Sequence, residues 1–248
     1  MPLDLATILL TGTIFLFAAF FHGSIGFGFP MVATPLLALT TDLQTAVILT
    51  LIPTALVNLV SIASEGNIFC AVRKHLPLAL YAMVGSAIGT QILILTNSEL
   101  FKGVLALAII GYLLIDKFRV ELSWVAEKPA LSKPLFGISA GILGGLTNVM
   151  APVLIIYSLE AKLEKNEIVQ SANICFLLGK IIQLILFGSQ DKFTANVLAL
   201  SSLSILLVLL ALYVGFKIKR RLNRATYIKA LRFFLLLLAI SLLLQVFV

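Results

Sequence analysis

Long apolar runs that contain no acidic residue occupy most of this chain, and they decide what it can fold into. A helix needs about 20 apolar residues to cross the hydrocarbon of a bilayer. Six runs meet that requirement at residues 43–62, 76–95, 100–115, 168–187, 195–216 and 228–246. Two more, 5–40 and 134–159, are apolar but interrupted, the first over residues 22–30 and the second over 141–148. A chain that is 60% hydrophobic and 12% charged is no soluble domain, since those run about 45–50% apolar and about 25% charged. Two cysteines, Cys70 and Cys175, far apart and without CxxC spacing, exclude a disulfide scaffold and suggest no redox or metal role. The net charge of +7 sits in short basic runs between the apolar stretches, a pattern that orients a membrane protein rather than one that binds nucleic acid.

Those basic runs choose between topologies. If each interrupted run crosses once, the loop lysines and arginines divide almost evenly between the two faces. If each goes in and returns as a re-entrant helical hairpin, only Lys102 and Lys192 are left on one face, and the other loop cations share the opposite one. Such asymmetry marks cytoplasmic loops, so the expected topology is the hairpin one, in a cell inner (plasma) membrane, with both termini non-cytoplasmic. Hairpin arms that cross fully as short helices give the same parity. No basic segment precedes the first apolar run, so the N-terminus does not read as a cleaved signal peptide.

The order of elements repeats. Residues 1–118 run broken hairpin 5–40, then spans 43–62, 76–95 and 100–115. A cytoplasmic linker, 119–133, follows. Residues 134–248 run broken hairpin 134–159, then spans 168–187, 195–216 and 228–246. Gly23-x-x-Gly26-Phe-Gly28 ahead of Pro35-Leu-Leu echoes Gly141-x-x-Gly144-Gly145 ahead of Pro152-Val-Leu, and Asp42 to Val47 echoes Glu164 to Val169. Three net crossings per half would invert one half relative to the other, as in secondary transporters whose sites lie at the repeat interface. The expected fold class is therefore an all-α polytopic membrane protein of two inverted repeats.

With these blocks, breaks and motifs the chain resembles the sulfite exporter TauE/SafE family, the 4-toluene sulfonate uptake permeases. The resemblance spans nearly the whole chain and implies a transporter of sulfur-containing or organic anions such as sulfite or sulfonates. Where a typical member is richer in glycine after the first break, this chain reads Gly26-Phe27-Gly28-Phe29-Pro30.

Chemistry is expected at the breaks. Non-helical backbone at membrane depth persists only where protein or a watery cavity satisfies it. A helix restarting there presents N–H groups without intrahelical partners and about half a positive charge. Pro30 suits the first turn of such a helix, and Thr147 or Asn148 could cap its counterpart. The candidate anion-binding residues are thus Gly26, Gly28, Phe29, Pro30 and Met31 at the first break, with Gly144, Gly145, Thr147 and Asn148 at the second. The alternative is that these glycines merely let helices pack closely. Lys180 lies inside a span, which is costly and points to a functional site. Asn173, Lys180 and Gln183 fall close to one helix face, with Gln170 near it. In the first half Thr50, Thr54, Asn58 and Ser61 form a matching stripe, although hydroxyls often bond back to their own helix. His22 stands at the first break, where it could couple transport to protons or satisfy the broken helix end. His75, beside Arg73 and Lys74, reads as a surface residue.

These features predict a secondary transporter that exports a small anion by alternating access around a mid-membrane site between the two breaks. No catalytic residue, metal or cofactor is expected. The partners are the anion and the lipid bilayer, not nucleic acid, and a homodimer is left open. A membrane-embedded enzyme on re-entrant hairpins would want acids or arginines at the breaks, which hold only His22. A cation carrier would want carboxylates or several His and Cys ligands inside the spans. A non-transporting membrane subunit is the remaining alternative.

Overall fold

A computed structural model describes residues 4–96 and 123–221, with scattered residues elsewhere in the chain. The expected spans 100–115 and 228–246 lie outside the described residues. The described residues form an all-helical structure: α1 (Leu5–Ile25), α2 (Phe29–Leu37), α3 (Leu43–Ser64), α4 (Ile68–Leu95), a short α5 (Trp124–Glu127), α6 (Pro129–Thr147), α7 (Ala151–Glu160), α8 (Lys165–Gly188), α9 (Ala195–Leu203) and α10 (Ile205–Lys219). Five segments are long and apolar enough to cross a membrane: α1, α3, α4, α8 and the α9–α10 pair. Large apolar side chains on their outer faces are exposed, among them Leu16 and Phe17 on α1, Val84 and Ile88 on α4, and Leu206 and Leu210 on α10. Hydrocarbon around the protein makes such exposure favourable, while the helices satisfy their own backbone groups. The chain is a polytopic membrane protein.

Helix starts follow the sequence signals. Asp42 accepts the Thr45 backbone N–H at 2.9 Å and the Thr45 hydroxyl at 2.6 Å, capping α3. Partial burial works against the Asp42 charge, but these hydrogen bonds outweigh it and hold the carboxyl below its usual value. Its contribution to stability is present above the ordinary carboxylate range and is lost as pH falls through the lowered value. Glu164 occupies the same place on α8, closing a capping box with Glu167. The echo between Asp42–Val47 and Glu164–Val169 is therefore a repeated helix N-terminus.

The broken runs are each a long helix followed by a short one. With 21 and 9 residues, α1 and α2 rise about 30 Å and about 14 Å, a full and a half membrane thickness. Both long arms end in a left-handed residue, Gly26 at φ 101° and Asn148 at φ 68°. The first break falls where expected, between Ile25 and Phe29. The second does not: α6 stays helical through Gly141, Gly144, Gly145 and Thr147, and the chain breaks at Asn148 to Met150. Likewise α6 starts at Pro129 inside the expected linker, and α4 starts at Ile68, eight residues early. That extension puts His75 inside α4, only 5% exposed, rather than on the surface.

Packing explains the glycines. Gly137, Gly141 and Gly145 lie along one edge of α6 against Leu78, Ala82, Ser86 and Gly89 of α4, while Gly85 and Gly89 of α4 lie against Ile138 and Ile142 of α6. A Cβ on Gly145 would lie 2.6 Å from the Ser86 carbonyl oxygen, and one on Gly141 would run into the Ala82 carbonyl. The same device joins α1 to α10, where a Cβ on Gly215 would sit 2.5 Å from the Phe20 carbonyl oxygen and 2.7 Å from the Gly23 Cα. Close approach through small residues drives helix association in lipid, where apolar surface alone does not. The long arm of each broken run thus packs on the second complete span of the other half, α1 on α10 and α6 on α4. Between these pairs, α3 and α8 lie against each other at the centre.

Candidate functional site

The two breaks are tied to the same two helices. At the first, the His22 ring is fully buried, accepts the Phe29 backbone N–H on Nδ1 at 3.2 Å and pairs through Nε2 with the Ser61 hydroxyl at 2.8 Å. A backbone N–H can only donate, so Nδ1 is the acceptor and the ring proton of a neutral His22 lies on Nε2, donated to Ser61. His22 thus caps the start of α2. Asn173 on α8 reaches the other side of this break, donating to the Gly26 carbonyl at 2.7 Å and to its own Val169 carbonyl at 2.7 Å.

At the second break, the Asn148 amide donates to the hydroxyls of Thr34 at 2.8 Å and Thr50 at 2.7 Å. Lys180, 1% exposed, donates to the side-chain oxygens of Asn148 and Gln183. Gln183 lies with Nε2 3.4 Å from the Gly145 carbonyl. Among the described residues no carboxylate pairs with Lys180. Among the described residues its partners are the amide oxygens of Asn148 and Gln183.

The depth of each tie follows from helical spacing. Asn173 and Lys180 are seven residues apart, two turns or about 10 Å along one face of α8. On α3, Ser61 meets the first break and Thr50 the second, and Thr54 and Asn58 fall between them on the same face. Both are buried, and the Thr54 hydroxyl, both polar atoms of the Asn58 amide and the Asn173 Oδ1 have no hydrogen-bond partner in the structure. Buried polar groups are nearly always satisfied, and four such unpartnered atoms gather on this stretch between the breaks.

The other expected residues divide. Phe29, Pro30 and Met31 are buried in the first turn of α2, with the Phe29 N–H taken by His22 and none on Pro30. Gly26 holds the left-handed turn, and a Cβ there would meet Val169 at 2.6 Å. Gly28 takes φ 109° next to the Phe21 ring. Gly144 and Gly145 lie within α6, so their N–H groups belong to its hydrogen-bond ladder. Gly144 makes room for the Met150 side chain. Thr147 bonds back to Leu143 at 2.6 Å, and neither it nor Asn148 caps α7, whose N-cap is Met150. Asn148 terminates α6 instead and carries the network. Thr34 carried no sequence signal, because its partner lies 114 residues away.

A buried lysine among neutral polar groups, at the second of two helix breaks, is the candidate site of this helical membrane protein. Residues 11–242 match the sulfite exporter TauE/SafE family. The chain belongs to that family, a family of membrane transporters rather than enzymes. No curated protein and no solved structure matches it.

Proposed function

We propose that this transporter exports a small sulfur-containing or organic anion, such as sulfite or a sulfonate, by alternating access around the polar stretch between the two breaks. Lys180 carries the reading. An ammonium buried without a counterion is expensive, and an anion arriving beside it would offset that cost. The unpartnered Thr54 hydroxyl and Asn58 amide supply hydrogen-bond donors along α3 between the two breaks, and the family's sulfite exporters give the class of anion. The reciprocal packing of α1 on α10 and α6 on α4 supports two inverted repeats that rock against each other at α3 and α8. The distribution of loop cations supports an inner-membrane location with non-cytoplasmic termini. A cytoplasm-negative potential favours anion exit by about 2.3 kcal/mol per charge at 100 mV, so export needs no coupling ion.

Liposomes loaded with sulfite, with voltage set by a potassium gradient, test this directly. Efflux that follows the voltage is expected; no flux of sulfite or of several sulfonates from folded protein would sink the proposal. Asn148→Asp is a sharper probe, because it sets a carboxylate of nearly the same shape on the Lys180 ammonium. It is expected to lower anion affinity on the order of tenfold or more while the protein melts no earlier, since the pair replaces an isolated charge. Unchanged sulfite affinity in that variant would take Lys180 out of the site.

Efflux that needs a proton gradient instead of voltage would bring His22 forward as the proton-coupling group. A protonated ring cannot accept the Phe29 N–H, so protonation would loosen the start of α2. In that case the requirement should disappear in His22→Asn. Wild-type flux driven by voltage alone would leave His22 only its capping role.

A further inference from the structure

A cavity of about 280 Å³ opens where the C-terminal ends of α3 and α10 meet the N-terminal end of α8. Ser64 and Glu65, Lys165 and Asn166, and Lys219 and Arg220 line it. Three cations face one carboxylate there. Glu65 and Lys219 form an ion pair at its floor with side chains only 8% and 6% exposed. The Lys219 ammonium also lies 4.9 Å from the centre of the Phe216 ring, and Lys165 donates to the Lys219 carbonyl at 3.3 Å. The nearby acids of α8 are engaged elsewhere, Glu164 in its capping box and Glu167 with Lys74. Glu65 belongs to the first half of the chain and Lys219 to the second, so the pair also ties the halves together on the face that gathers the basic residues.

We propose that this cavity is a second anion site, a vestibule for oxyanions such as sulfate or sulfite in which the arriving anion replaces Glu65 on the Lys219 ammonium and so unlatches the two halves. The inference rests on the anion-transport reading and extends it to a residue pair far from Lys180. Glu65 is a resident carboxylate that occupies the Lys219 ammonium while the vestibule is empty, and Arg220 in the lining adds a further cation toward the incoming charge. Its release is felt at the first break, for the Ser64 hydroxyl lies 3.3 Å from Glu65 and 2.9 Å from the Ser61 carbonyl, and the Ser61 hydroxyl holds His22.

The test uses inorganic sulfate binding to the purified full-length protein carrying Lys180→Gln, which removes the central charge. In that background Glu65→Gln is expected to tighten sulfate binding about tenfold or more, because the competing carboxylate is gone and a charge-assisted bond is exchanged for it. Lys219→Gln is expected to abolish the binding. Where Lys219→Gln leaves Glu65 buried and unpaired and fails to fold, the double Glu65→Gln/Lys219→Gln variant removes both charges and is expected to bind no sulfate. Affinity unchanged by Glu65→Gln, or sulfate still bound by the folded double variant, overturns the vestibule. Wild-type sulfite flux reads the transport proposal independently, so the two can fail separately.

Discussion

Lys180→Gln is expected to leave a well-folded protein with strongly weakened anion binding and transport. The glutamine amide still donates to Asn148 and Gln183, and the cost of burying an ammonium disappears, so the melting temperature should hold or rise. The anion loses a charge-assisted hydrogen bond of about 1.5–3 kcal/mol, on the order of 10- to 100-fold in affinity. Sulfite flux from liposomes and thermal melting in detergent, measured together, separate this from a structural role. A lysine that only braced α6 against α8 would give the opposite pair, lower stability with flux retained per folded molecule.

The other large effect lies in the glycine seam. Gly141→Ala adds one methyl group that points into the Ala82 carbonyl and lies 2.7 Å from the Ser86 backbone nitrogen. Backbone cannot turn aside as a side chain can, so α4 and α6 must separate along their length. Overpacking costs about 1–3 kcal/mol where side chains can adjust, and here the loss should reach the upper end or beyond, with a sharp fall in folded yield. Gly12→Ala on α1 is the control, since its Cβ would lie 3.8 Å from a Leu207 methyl group. It should be neutral or stabilise by about 0.5–1 kcal/mol through helix propensity. Gly141→Ala protein that melts like the parent would show that the seam is looser than its geometry.

The contrast between these glycines shows where sequence reading ran out. Gly141-x-x-Gly144-Gly145 looked like an unwound segment because glycine both breaks helices and lets them touch. Only the facing backbone of α4 decides between the two, and it is Asn148, with its left-handed φ, that ends the helix. At the first break the facing surface leaves the glycines their conformational use, Gly26 and Gly28 taking positive φ. Asn173, Lys180, Thr54 and Asn58 stand out in the sequence as polar residues in apolar runs, and all four are buried in the structure.

What the sequence determined by itself is what depends on neighbours along the chain: the membrane class, the presence of long apolar helices, the echo between the starts of α3 and α8, and the family. Hydropathy, capping and periodicity act over a few turns, so a local window holds all the information they need. The tertiary structure alone decided which polar groups meet. Thr34 with Asn148 and Glu65 with Lys219 join residues 114 and 154 positions apart, and such pairings are fixed by the glycine-lined crossings that bring α6 to α4 and α1 to α10. Hydrogen bonds and ion pairs act over about 3 Å, so a chain reveals their members and only the packed helices reveal their partners.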